Sequence, residues 1–252
     1  KNPKHEIDIA ICGKYNSLHD AYKSILEAFI HASTNNSAKI NLRWIDTEVL
    51  EKDKNIKKHF KGVNGVLIPG GFGNRGIEGK ILASQYAREN NVPFFGICLG
   101  MQCAIIDYAR NVWKLKGANS SEFDKKTKHP VIDLMLGQKE VTDKGASMRL
   151  GEYSCEVTKN TNAYKAYKAN SIKERHRHRY EFNNNYLDKI DTKGLIVSGV
   201  NAKLNLVEMV EVKGHPWFVG VQFHPELKSR LMDAHPLFDN FIKSAIKHKS
   251  GA

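Results

Sequence analysis

The chain has 252 residues, 41% hydrophobic and 9% aromatic, which is enough apolar material for one large α/β domain or two small ones and too much for a disordered or low-complexity chain. Lys and Arg outnumber Asp and Glu by 39 to 27, a formal +12 that suits nucleic acid, anionic small substrates or an acidic partner domain equally, so the sum selects none of them. No apolar run reaches the roughly 18 to 20 residues of a membrane span, no signal-type stretch follows the basic opening, and Cys12, Cys98, Cys103 and Cys155 form no Cys-x-x-Cys pair, so the chain reads as soluble, cytoplasmic and thiol-reduced.

Taken in chain order, the first half alternates strand-like runs with helical spacing. Residues 7–11 read as a buried strand, and 21–32 carry Ala21, Ile25, Ala28, Phe29 and Ala32 at helical intervals. Strands are expected at 40–45, 63–68 and 92–97, and helices at 77–88 and 99–110. Apolar strands without clean alternation predict a mostly parallel central sheet with helices on both faces and active groups at the strand C-termini. Residues 116–146 are polar and poorly periodic, a loop or lid. The second half reads as short strands at 153–157, 175–182, 195–200, 206–212 and 217–223, an antiparallel or mixed extension closed by a helix at 236–248. No repeat or linker divides the chain, so residues 1–252 are expected to form one domain.

The strongest chemical signal is Gly96-Ile97-Cys98-Leu99-Gly100, where a buried strand meets a helix. This is a nucleophile elbow with Cys in place of Ser: the glycines are expected to permit a strained turn that lifts the thiol from the sheet. The N-terminus of the next helix would favour a thiolate and offer N–H groups to an oxyanion. The competing reading is a small core cysteine, which is also the expectation for Cys103. A thiol needs a base. Of eleven histidines, His224 follows an apolar strand at its C-terminal end, and Glu226 lies two positions on. In extended chain, i and i+2 share a side, so Glu226 is expected to orient the imidazole of a Cys98/His224/Glu226 triad.

Residues 71–76 contain a literal G-x-G-x-x-G, but the following strand ends in Phe95-Gly96 without the acid that a dinucleotide ribose requires. A Gly70-Gly71 turn beside the elbow strand could instead bring a backbone N–H to a reacting carbonyl. Arg175, Arg177 and Arg179 would share one strand face and His176 and His178 the other, which could be a phosphate-binding ribbon.

Pro69-Gly70-Gly71, the 96–102 segment ending in Met101-Gln102, and His224-Pro225-Glu226 together resemble the three signatures of class I, triad-type glutamine amidotransferases. Within that superfamily the chain is most similar to the glutaminase domain of the CTP synthase family. The similarity runs through Gly13-Lys14-Tyr15, Asp20-Ala21-Tyr22-Lys23-Ser24, residues 71–79, Ser121-Glu122-Phe123, Met148-Arg149-Leu150-Gly151, residues 174–181 and His215-Pro216-Trp217-Phe218. The resemblance implies the fold of that family and hydrolysis of L-glutamine to glutamate and ammonia through a Cys98 thioester, with His224 and Glu226 as partners. It assigns Gly71, Leu99, Gly100, Met101, Gln102, Glu122 and Arg179 to glutamine and the oxyanion hole. Glu122 would accept from the substrate ammonium and Arg179 would hold its carboxylate.

The resemblance also implies an N-terminal synthetase domain, absent from this chain, that uses ATP, Mg and UTP to make CTP in a homotetrameric full-length protein. GTP is implied as an allosteric effector acting through Arg75, Gly76 and Glu78. No cofactor, metal, nucleic acid or membrane is expected for this domain itself. Other amidotransferases, γ-glutamyl hydrolases and a basic binding module remain the competing readings.

Overall fold

The structure, a computed structural model, describes residues 2–14, 22–134 and 148–251. Tyr15, Asp20 and Ala21 of the similar segments, and residues 135–146 of the expected loop, lie outside the described residues. The first half runs β1 (His5–Gly13), α1 (Lys23–Asn35), β2 (Ala38–Asp46), α2 (Thr47–Lys52), β3 (Gly65–Ile68), α3 (Ile77–Glu89), β4 (Phe94–Ile97) and α4 (Leu99–Asn111). The second half runs β5 (Asn119–Ser120), β6 (Pro130–Leu134), β7 (Arg149–Val157), α5 (Asn162–Tyr167), β8 (Ser171–His178), β9 (Tyr180–Phe182), β10 (Leu195–Asn201), β11 (Leu206–Val212), β12 (Phe218–Val221) and α6 (Pro236–Ser250).

A nine-stranded sheet has the order β2-β1-β3-β4-β12-β11-β10-β7-β8. The half from β2 to β12 is parallel and the rest antiparallel, the mixed α/β architecture expected. The parallel strands are apolar on both faces because both are covered. Ile9, Leu67, Phe95 and Val219 pack with Phe29, Phe238 and Phe241 of α1 and α6. Ala10, Val66, Phe94 and Phe218 face Ala83, Ala87 and Ala104 of α3 and α4. No described helix is long and apolar enough to cross a membrane.

One pairing positions everything that follows. After its antiparallel excursion the chain returns to lay β12 parallel to β4, with Phe218 opposite Phe94, Gly220 opposite Gly96 and Val221 opposite Ile97. The two phenylalanine rings stack with centroids 4.3 Å apart, a contact of roughly 0.5–1.5 kcal/mol beyond the area that it buries. The facing glycines leave the room in which α4 begins: a Cβ on Gly220 would stand 3.0 Å from Met101 Cγ, and one on Gly96 would stand 2.7 Å from the Gly100 carbonyl carbon. The matched register ends both strands at one level, with Cys98 one residue beyond β4 and Gln222 one beyond β12.

Three expectations need correction. The strand expected over 175–182 is two strands: β8 ends at His178 on the edge of the large sheet, and β9 belongs to a separate three-stranded sheet, β5-β6-β9. Periodicity reads through such a change of sheet because residues on both sides remain extended. Arg179 therefore stands between strands, not on the exposed face that Arg175 and Arg177 share, while His176 and His178 are buried as the alternation requires. The polar 116–146 segment also contains β5 and β6, so its described part is not purely loop. The short helices α2 and α5 carry too little periodicity to be read, yet both have side-chain caps. Asp46 accepts from Glu48 N at 2.8 Å, and Thr161 Oγ1 from Tyr164 N at 3.0 Å.

Candidate active site

Cys98 sits between β4 and α4 with φ 52° and ψ −102°, a strained backbone for a residue with a Cβ. Its N–H donates to Val221 O at 2.7 Å and its carbonyl accepts from Gln102 N at 3.2 Å, so β12 and the first turn of α4 together hold the strain. The flanking glycines have a different job from the one expected of them. Neither Gly96 nor Gly100 has positive φ; a Cβ on Gly100 would lie 2.2 Å from Ile68 O. They let helix and sheet backbones touch, and the cysteine itself bears the strained conformation.

His224 follows β12, and its N–H donates to Arg175 O at 2.8 Å, which ties it to the edge strand β8. Its Nδ1 is 2.7 Å from Glu226 Oε1. The extended-chain geometry expected for this pair is corrected: Pro225–Leu227 is a turn of 3₁₀ helix, and the tight turn brings the carboxylate back to the ring. A Cβ on Gly70 would lie 2.8 Å from His224 Cε1 and 3.5 Å from Cys98 Cβ, so the imidazole and the cysteine flank the same point of the Pro69-Gly70-Gly71 turn. Burial disfavours an imidazolium at His224, but the Cys98 charge and the Glu226 carboxylate outweigh it and push the pKa up to about 11. The arrangement sets the Cys98 thiol and the Glu226 carboxylate on either side of one imidazole.

Beside Cys98 lies a cavity of about 250 Å³ lined by Gly71, Phe72, Gln102, Glu122, His178, Arg179 and Tyr180. Leu99 borders it through Gly71, whose Cβ would stand 3.5 Å from Leu99 Cδ2. As the first residue of α4, Leu99 has an N–H without an intrahelical acceptor. Burial raises the Glu122 carboxyl above its usual range, against the Gly73 amide and the Arg179 charge. Arg179 Nε is buried with no hydrogen-bond partner among the described residues.

The cavity wall thus brings together Cys98, Gly71, Gln102, Glu122 and Arg179, with His224 and Glu226 behind the thiol. It does not include Gly100, which is pressed on Ile68, or Met101, which is fully buried against Gly220. Arg75, Gly76 and Glu78 also lie apart from that wall. Arg75 Nε is 2.6 Å from Glu48 Oε1, Glu78 Oε2 is 2.6 Å from Arg110 Nη1, and Gly76 adopts φ 71° where α3 begins.

Sequence reading missed Phe72, Gln222 and a buried charged cluster behind the wall. Arg149 of β7 bonds Glu181 of β9 at 3.3 Å and also Glu208 of β11, stitching the two sheets together where Arg179 turns inward. His176 Nδ1 and His178 Nε2 are 2.8 Å apart. Burial, then the Arg149 charge, pushes His176 down to about 2, and burial pushes Glu181 up to about 8 despite Arg149. Alternation marks both histidines as inward-facing, but nothing local identifies partners on three other strands. The remaining cysteines are core residues; burial pushes Cys12 and Cys103 up to about 12 and Cys155 higher still.

Comparison with known proteins identifies the family of the chain. The family "Glutamine amidotransferase class-I" matches residues 17–244. A CTP synthase of Caldanaerobacter subterraneus subsp. tengcongensis is 54% identical over 99% of this chain and 46% of its own length. The chain spans about half the length of the curated relatives it matches. A solved glutaminase domain of Trypanosoma brucei CTPS, with bound acivicin, superposes with a TM-score of 0.89 at 39% identity, covering 96% of this chain and 94% of that one. A glutamine amidotransferase of Thermotoga maritima, 12% identical with a TM-score of 0.56 over 98% of this chain and 99% of that one, shares the fold. The chain belongs to the class I glutamine amidotransferases and, within them, to the glutaminase domains of CTP synthases.

Proposed function

We propose that the chain hydrolyses L-glutamine to glutamate and ammonia. The observation that carries this reading is a strained Cys98 beside the His224–Glu226 pair, at the wall of a cavity that also presents Glu122 and an Arg179 nitrogen without a hydrogen-bond partner among the described residues. Glutamine is a zwitterion with a neutral amide: Glu122 accepts from its ammonium and Arg179 pairs with its carboxylate, which leaves the side-chain amide directed at the thiol.

The Cys98 sulfur attacks the amide carbon, and the negative charge that develops on oxygen is met by the N–H groups of Gly71 and Leu99. Collapse of the tetrahedral intermediate breaks the carbon–nitrogen bond while His224 passes its proton to the departing ammonia. His224 then removes a proton from water, hydroxide adds to the thioester, and the thiolate leaves as glutamate forms. Glu226 holds the imidazole in the required tautomer and offsets its charge.

In the longer protein the ammonia aminates UTP to CTP on an ATP- and Mg-dependent synthetase domain joined to this one. GTP acts as effector through the loop that bears Arg75, Gly76 and Glu78. The test is glutamate and ammonia release from free glutamine, with γ-glutamyl peptides as the competing substrate, and labelling of Cys98 by a glutamine-like electrophile. A Cys98→Ala chain that kept full activity would defeat the mechanism, and preferential cleavage of γ-glutamyl peptides would defeat the substrate.

A further inference from the structure

Gln222 is completely buried one residue past the end of β12. Its backbone N–H donates to Glu208 O at 2.8 Å, so its place beside Cys98 follows from the sheet. The side-chain Nε2 is 3.6 Å from Cys98 Sγ, within reach of an N–H···S bond, and Oε1 is 3.2 Å from Gln102 Nε2. Gln102 Nε2 is also 3.0 Å from the Tyr180 carbonyl.

This chain of contacts has only one self-consistent polarity. A backbone carbonyl accepts and never donates, so the nitrogen of Gln102, not its oxygen, must face Tyr180. Its second hydrogen then points at Gln222 and requires the oxygen of Gln222 there. The Gln222 nitrogen is left facing the sulfur, an N–H that a carboxamide does not lose at any pH the fold tolerates. A donor fixed on sulfur favours the anionic form over the neutral thiol.

We propose that Gln222 is a catalytic residue in addition to the triad, its amide N–H stabilising negative charge on the Cys98 sulfur. This rests on the glutaminase reading above, in which the sulfur is anionic twice: before it attacks the amide, and again when the carbon–sulfur bond of the thioester breaks. Gln222 transfers no proton; His224 handles every proton in the scheme. The division of labour is physical: the imidazole must move protons and so changes charge during the cycle, whereas the carboxamide presents the same donor throughout.

The test uses iodoacetamide, so it does not depend on glutamine turnover. Second-order alkylation of Cys98 is followed by peptide mass spectrometry across about pH 5 to 10, in the chain and in its Gln222→Glu and Gln222→Met forms. Gln222→Glu keeps an oxygen for Gln102 and replaces the N–H that faces sulfur with a second carboxyl oxygen and its negative charge; Gln222→Met removes both partners without adding charge. The alkylation profile of Gln222→Met is expected to move about one unit to higher pH, with alkylation on the acid limb about tenfold slower, and Gln222→Glu to move further. A residue that merely filled space would change the unfolding midpoint and leave the pH profile in place. If Gln222→Glu does not fold, Gln222→Met decides alone. Profiles that overlay that of the unmodified chain overturn the proposal whatever the glutaminase rate. A shifted profile in a chain that fails to hydrolyse glutamine upholds it and defeats the glutaminase reading instead.

Discussion

Gly70→Ala separates the catalytic geometry from the stability of the fold. The added Cβ would stand 2.8 Å from His224 Cε1, inside the 3.4 Å at which ordinary contact begins, so the ring must retreat by about 0.6 Å. The other near neighbours are Cys98 Cβ and His224 Nδ1, both at 3.5 Å, and no backbone atom is among them. Gly70 lies outside the left-handed region, so alanine is unstrained there and the unfolded chain loses a little entropy. Stability should therefore change by less than about 1 kcal/mol.

The imidazole, however, is held between Cys98 and a 2.7 Å contact to Glu226, and it cannot retreat without disturbing one of them. A misplacement of about 1 Å costs on the order of 10²-fold in rate, so about 0.6 Å should cost roughly tenfold. The assay is steady-state glutamate release with urea unfolding on the same sample. kcat is expected to fall about tenfold with KM nearly unchanged, because Glu122 and Arg179 are not among the groups that the methyl meets. An unchanged kcat would refute the placement of His224, and a loss of kcat that tracked a loss of stability would refute the claim that the clash is confined to the ring.

Three further outcomes follow from the same geometry. Gly100→Ala puts a Cβ 2.2 Å from a backbone oxygen that cannot step aside, so it should destabilise by about 1–3 kcal/mol and lower Tm by several degrees, as calorimetry would show; an unchanged Tm would contradict the helix–sheet contact. Glu226→Gln should lower kcat on the order of 10²–10⁴-fold with little change in KM, and wild-type kinetics would remove Glu226 from the mechanism. The third concerns acid stability. His176 takes a proton near 6.5 when unfolded and near 2 in the fold, so its contribution is present above 6.5 and is lost as pH falls toward 2. Glu181 moves the other way, from 4.5 to about 8, so its contribution is present below 4.5 and lost as pH rises through 8. The two oppose each other between 4.5 and 6.5, and acid lability should set in below about 4.5. His176→Gln should flatten that limb by up to about 1.4 kcal/mol per pH unit in urea titrations, and parallel curves would refute it.

Much of the site was legible because its pieces are local. A glycine-flanked cysteine at a strand–helix junction and a His-Pro-Glu at the end of an apolar run each declare themselves within a few residues, and the β/α alternation of the first half follows from apolar spacing alone. The parallel sheet is implied by strands without a polar face. Glu122 was named only through resemblance, since a lone acid carries no local signal; Arg179 stood out as part of the Arg-His-Arg-His-Arg block, but its role toward a substrate carboxylate came only through resemblance.

What the tertiary structure decided is adjacency. Nothing near residue 98 specifies that β12, more than a hundred residues on, returns to lie beside β4 in a register that ends both strands at one level; that pairing depends on the Phe94–Phe218 stack and the facing Gly96 and Gly220. The turn of Arg179 into the cavity depends on a change of sheet after His178, secured by an arginine on β7. Gln222 reads as one more residue of a core strand until the fold places it against sulfur. Sequence patterns record the periodicity of single elements, whereas a site made from several strand ends depends on how those elements pair, and pairing is an energy shared between distant residues that no window along the chain contains.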